Sequence, residues 1–268
     1  MICRQITISI WIVWFCLFGL QIVAQNKTPY EIALQRIEEA ATNNAITLDL
    51  SGLALDNLPP EIGQLTELQI LWLNDNQLTS LPSEITQLTT LHALWLNHNQ
   101  LTDLPIEIGQ LTNLHTLRLE RNQLVSLPPE IGQLEHLESL YLDINKLENL
   151  PSEIGQLIHL QVLYIDNNSL INLPPEIGQL TNLQVMSLAN NDLTGLPSEI
   201  GQLTQLQELW LQYNNLVSLP SEIGQLTILE KLYLSNNALV SLPSEVGRLT
   251  RLQELPLANN EITDLPPE

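Results

Sequence analysis

Five histidines, a column of carboxylates and a row of aromatic residues are the groups in this chain whose types and spacing suggest chemistry. His92 and His115 stand 23 residues apart, as do His136 and His159, with His98 lying between the first two. If segments 23 residues apart lie side by side at the strand spacing of about 4.8 Å, each pair is within reach of one metal ion. No third column of Cys, His or acid completes either set. The histidines therefore read as surface residues, and no metal is expected. Ten glutamates, from Glu61 and Glu84 through Glu245 and Glu268, recur at one place in the repeat. They read as capping and solvation. Gly-x-Ser-x-Gly, a phosphate-cradling glycine loop and His-Glu-x-x-His do not occur. No catalytic residue, cofactor or enzymatic activity is expected.

The aromatic row is more informative. Trp72, Trp95, Tyr141, Tyr164, Trp210 and Tyr233 occupy one position of the 23-residue unit; Arg118 stands in the same series, as do Asp49, Ser187 and Pro256. This position lies between two inward leucines and must point outward. Tyr213 sits three positions later in its unit, so every aromatic after Ala45 falls on one side. Arg118, Glu120 and Arg121 share one unit, followed by Asp143, Lys146 and Asp166, which makes a short acidic ladder beside two arginines. Rings at about 4.8 Å steps make a stripe, and Trp, Tyr and Arg are the types enriched at binding hot spots. The stripe, with Arg118 and Arg121 as polar fixing points, is the expected partner-binding site. Cross-strand stacking, which stabilises a sheet, is compatible with that role.

The elements that position these residues come from one repeated sentence. Full units begin at Leu68, Leu91, Leu114, Leu137, Leu160, Leu183, Leu206 and Leu229, with a degenerate one at Ala45 and a truncated one at Leu252. A fixed period in this range marks a solenoid whose units bury apolar faces only against neighbours. Alternating Leu-x-Leu predicts a short strand. Nine asparagines at position 9, from Asn76 to Asn260, are expected to form a buried ladder bonding main-chain groups of adjacent units. Leu-Pro-x-Glu-Ile-Gly-Gln-Leu then predicts a short helical turn with Pro at its first position and a carboxylate facing unsatisfied N–H groups. Strand, turn, helix and return to a parallel strand make an α/β solenoid with right-handed crossovers.

The unit Leu-x-x-Leu-x-Leu-x-x-Asn-x-Leu-x-x-Leu-Pro-x-Glu-Ile-Gly-Gln-Leu-Thr resembles a leucine-rich repeat. More narrowly, it is similar to the 23-residue type of Ras-group-related plant proteins, Scribble-like scaffolds and many bacterial, especially cyanobacterial, proteins. The resemblance covers residues 45–268 and implies a curved horseshoe with a concave parallel β-sheet, the usual binding face, and short convex helical turns. It is weak for function, since the family binds many unrelated partners.

Residues 1–24 stand apart from the array. Ile6 to Ala24 is mostly apolar and is followed by polar Gln25-Asn26-Lys27, the pattern of a secretory signal peptide cut after Ala24. An uncleaved membrane anchor is the alternative. Residues 25–44 are expected to form an N-terminal cap, with Thr28-Pro29-Tyr30-Glu31 as a capping box and Ala33, Ile37, Ala40 and Ala41 on one helical face. At the other end Pro256 falls inside the last Leu-x-Leu, where it removes a ladder donor. Both a blunted terminus and a continuing chain fit that end. Cys3 and Cys16 lie in the leader, so Cys-based zinc sites, thiol catalysis and disulfide-closed caps are not expected beyond it. That suggests a bacterial extracellular setting. A net charge of −21 with nine Lys and Arg argues against nucleic acid and anionic membrane surfaces as partners. The expected function is a non-catalytic, exported module binding a protein or peptide, with the membrane involved only if the leader is retained. A carbohydrate or envelope-polymer binder and a structural spacer are the alternatives.

Overall fold

The computed structural model describes residues 27–263. The first element among these residues, α1, is the helix Pro29–Thr42. Thr28 closes a capping box: its hydroxyl accepts from the Glu31 N–H, and the Glu31 carboxylate accepts from the Thr28 N–H. Ala33, Ile37 and Ala40 are buried against the first repeat, and Arg36 Nη1 donates to the Asp49 carbonyl at 2.9 Å.

Nine three-residue strands follow among the described residues: β1 Thr47–Asp49, β2 Ile70–Trp72, β3 Ala93–Trp95, β4 Thr116–Arg118, β5 Ser139–Tyr141, β6 Val162–Tyr164, β7 Val185–Ser187, β8 Glu208–Trp210 and β9 Lys231–Tyr233. They pair in chain order as one parallel sheet, on the concave side of a horseshoe solenoid. Each register offset is 23 residues, so the middle residues from Leu48 through Leu71 to Leu232 align in one inward file. That file is buried throughout, with Met186 replacing leucine at β7 without loss of packing. Beyond β9 the pairing thins to a single bridge between Lys231 and Glu254. Pro256 has no N–H to give, but its carbonyl accepts from Leu234 N at 3.0 Å.

The asparagine ladder is a two-unit clamp. Asn76 Oδ1 accepts from Leu53 N and Leu55 N, while its Nδ2 donates to Leu50 O and Leu73 O, at 2.9–3.1 Å. One residue earlier the backbone turns through the left-handed region in every unit. The residues there are Asp75, His98, Arg121, Ile144, Asn167, Asn190, Tyr213, Asn236 and Asn259, with φ between 54° and 59°.

The convex side departs from expectation in detail. Each helical element is a five-residue 3-10 turn, from Pro60–Gln64 to Ser244–Arg248. The Leu-Pro proline is the cap residue in extended conformation, as at Pro82 with ψ 146°, and proline holds the first helical position only where it is doubled, at Pro60, Pro129 and Pro175. The carboxylates of Glu84, Glu153, Glu199, Glu222 and Glu245 accept from the hydroxyl of the serine before them rather than capping the turn. The turn glycines from Gly63 to Gly224 have a steric cause: a Cβ on Gly155 would stand 2.5 Å from the Glu176 carbonyl oxygen of the next unit, whereas Thr86 takes the glycine place in one turn and Gly247 meets nothing among the described residues. Among the described residues no helix is long and apolar enough to cross a membrane. The leader, residues 1–24, lies outside them.

Candidate functional site

Strand alternation turns unit positions 3, 5 and 7 to the open face of the sheet. The register places Trp72, Trp95, Arg118, Tyr141 and Tyr164 on five successive strands. Their side chains form one continuous stack. The rings of Trp72 and Trp95 meet edge to face at 6.3 Å, and those of Tyr141 and Tyr164 lie parallel at 5.6 Å. The Arg118 guanidinium fills the gap between the two pairs, with Cζ 5.0 Å from the Trp95 centroid and 4.6 Å from that of Tyr141. Arg118 Nε lies 3.0 Å from Glu120 Oε1. Arginine here bridges two aromatic pairs that would otherwise be two strands apart.

The stripe is interrupted at β7. Ser187, expected to face outward, is fully buried, because the large side chains on the flanking strands close over a residue this small. Its hydroxyl donates to Asp166 Oδ1 at 2.5 Å. The row resumes with Trp210 and Tyr233, whose rings sit 5.2 Å apart. Trp210 Nε1 donates to Glu208 Oε2 at 3.2 Å, Lys231 Nζ pairs with Glu208 Oε1 at 2.9 Å, and Tyr233 donates to Glu254. Glu208 and Lys231 belong to the face but were not among the sequence-derived site residues. They stand at position 3, which the same period-two alternation exposes.

Arg121 and Tyr213 lie apart from the strand row. Both occupy the left-handed turn after their strands, and Tyr213 is 57% exposed at the rim of the face. Lys146 extends to Gln123 Oε1 at 3.2 Å rather than to an acid. The acidic ladder forms as expected. Asp143 Oδ1 accepts from Asp166 N at 2.8 Å, and Asp166 Oδ1 accepts from Ala189 N at 2.7 Å. Burial, and then the charges of Asp166 and Glu120, push the Asp143 carboxyl up to about 7. Burial raises Asp166 as well. Beside these carboxylates, Asn74 Oδ1, Asn97 Oδ1, Glu120 Oε2 and Gln212 Oε1 are buried acceptors without a donor among the described residues. The face thus offers flat apolar rings next to a line of acceptors, the equipment for holding a ligand that donates hydrogen bonds.

The histidines are arranged differently from the two pairs the period suggests. His92, His115, His136 and His159 form one stacked column along the edge of the sheet, with centroids 5.2, 6.0 and 6.3 Å apart in turn. Only His98 stands outside it, 3.2 Å from Asp75. At one end of the column a polar recess of about 290 Å³ is lined by Glu138, His159, Gln161, Asn182, Gln184 and Gln205.

Comparison with known proteins gives a consistent result. Residues 47–121 and 141–214 match the family model described as a leucine-rich repeat region, and residues 229–267 match a two-copy leucine-rich repeat model. No curated protein sequence matches the chain. Among solved structures it is similar to a leucine-rich repeat protein of Leptospira interrogans (33% identity, 85% of this chain and 88% of that one, TM-score 0.52). It is also similar to YopM, a leucine-rich effector protein from Yersinia pestis (29% identity, 91% and 63% covered, TM-score 0.72). A third is the plant peptide hormone receptor RGFR1 in complex with RGF2 (36% identity, 82% and 41% covered, TM-score 0.67). The chain spans less than half of that receptor.

Proposed function

The chain belongs to the leucine-rich repeat family, and on that premise we propose that it is a non-catalytic recognition module whose concave face binds a protein or peptide. The observation that carries this reading is the unbroken stack Trp72–Trp95–Arg118–Tyr141–Tyr164 on the open face. Half-buried rings held by their neighbours lose little side-chain freedom on binding, which is what an anchor surface needs. Arg121 and Tyr213 at the rim supply polar and aromatic contacts beside that stack, and Trp210 and Tyr233 extend it. The structural neighbours lend support: a plant receptor of the same fold was solved with its peptide hormone. The apolar leader of residues 1–24 supports an exported setting, with tethering to a membrane if the leader is retained.

The test is a screen of the wild-type chain against a displayed random-peptide library and against isolated envelope polysaccharide. Peptides enriched by the wild type should bind a Trp72→Ala/Trp95→Ala variant at least ~30-fold more weakly, the loss of about 2 kcal/mol typical of hot-spot anchors. The variant should melt close to the wild type, because neither ring belongs to the leucine core. Full affinity in the double variant would show that the concave assignment is wrong. Binding to polysaccharide alone, insensitive to salt, would replace the peptide reading with a glycan one.

A further inference from the structure

We propose that the histidine column is a binding site for divalent transition-metal ions, taken up by pairs of imidazoles at the sheet edge, away from the aromatic row. Three observations carry it. First, four of the five histidines converge on one edge across three consecutive units, although the sequence carries two of them at position 2 and two at position 23. The fold brings these two positions together at the unit boundary. Second, the central rings are oriented from behind. His115 Nδ1 lies 2.8 Å from Asn113 O, and His136 Nδ1 lies 2.9 Å from Thr112 O. A carbonyl only accepts, so both Nδ1 atoms carry hydrogen and the lone pair of each neutral ring is on Nε2. Backbone carbonyls set the tautomer and orientation of metal-binding imidazoles in the same way.

Third, the spacing suits shared ligation. Two imidazoles on one tetrahedral ion, with metal–nitrogen bonds of about 2.1 Å, have ring centroids about 5 Å apart. His92 and His115 stand at 5.2 Å and the next two pairs at 6.0 and 6.3 Å, but all three pairs are stacked, with planes 28°, 30° and 11° from parallel, so ligation needs the outer rings, His92 and His159, to rotate toward the held His115 and His136. Among the described residues no three His, Cys, Asp or Glu side chains already surround one point. Each ion would therefore take two imidazoles and complete its shell with water. Glu138, whose N–H donates to His115 O at 2.9 Å and whose side chain shares the polar recess with His159, adds negative charge beside the column. Imidazole nitrogen selects zinc, nickel or copper(II), whereas carboxylates alone serve magnesium and calcium equally well.

The repeat itself supplies the test variants. Gln161 and Gln184 stand where His115 does, and Asn113 and Asn182 stand where His136 does. Asn113 Nδ2 donates to Thr89 O at 2.8 Å and Asn182 Nδ2 to Ile158 O at 2.7 Å, as His136 does to Thr112 O. A His115→Gln/His136→Asn chain thus keeps the bond at the His136 place and puts at the His115 place a residue the repeat already carries, while breaking all three ring pairs. Calorimetric titration of the full chain with zinc chloride, and separately with nickel chloride, should show binding that excess magnesium does not displace. In the double variant it should weaken by about tenfold or more. A His98→Ala chain, altered outside the column, should bind like the wild type. The proposal is overturned if the wild type takes up neither metal, if magnesium displaces the bound ion, or if the double variant binds unchanged.

Discussion

Asp143 should make the protein less stable at neutral pH than it needs to be, and Asp143→Asn should reveal by how much. The carboxyl is held by one backbone donor, Asp166 N at 2.8 Å, an acceptor role that the amide oxygen of asparagine can keep. What the substitution removes is a charge that burial and the neighbouring Asp166 and Glu120 oppose, raising the group from 3.8 to about 7. Because the folded-state value lies above the unfolded one, the native protein holds the proton more tightly between those two pH values. Stability is therefore lost as pH rises through that window, and the loss is complete above about pH 7. At 1.36 kcal/mol per pH unit the whole gap would amount to about 4 kcal/mol. The carboxylate keeps part of its surface in water, which screens it, so about 2 kcal/mol is the working figure. For a domain of this size that corresponds to about 4–8 °C in melting temperature. Thermal melts of wild type and Asp143→Asn from pH 4 to pH 8 should coincide at the acid end and separate steadily to that gap. The reasoning fails if the variant gains nothing at pH 8, or if a gap of equal size is already present at pH 4.

Other substitutions test the scaffold. Asn122 accepts from Leu101 N and donates to Leu96 O and Leu119 O at 2.9–3.0 Å, so Asn122→Ala strands three buried groups and should cost about 2–5 kcal/mol in urea melts. Gly155→Ala meets the backbone of the next unit at 2.5 Å and should cost about 1–3 kcal/mol, while Gly195→Ala, with open space around its Cβ, should melt as the wild type does. Ile144 holds φ at 55°, a conformation that costs a β-branched residue about 1–2 kcal/mol and asparagine less, so Ile144→Asn should raise the melting temperature by a few degrees.

Most of the fold was legible because a 23-residue period fixes the strand, the register and the buried file together. A one-position slip would turn every inward leucine outward. The asparagine ladder followed from the same logic, since a polar residue recurring beside the core has to bond main chain. What the period could not give is anything decided between neighbouring units. Ser187 faces the open side by alternation, yet it is buried because of the size of the side chains beside it. The turn glycines from Gly63 to Gly224 look like a repeat habit until the carbonyl of the following unit is placed 2.5–2.9 Å from their missing Cβ. Counting positions within a unit kept His115 and His136 apart, as positions 2 and 23 of one unit, although their rings stack 6.0 Å apart on one edge. The same limit applied to Glu208 and Lys231, which pair across a 23-residue step inside the proposed binding face. In a solenoid the sequence of one unit determines the scaffold, whereas the functional surface is made of side-chain columns that run across units. In the proposed binding face the order of residues down a column decides the surface, as at Arg118, whose place between Trp95 and Tyr141 joins two aromatic pairs into one stack.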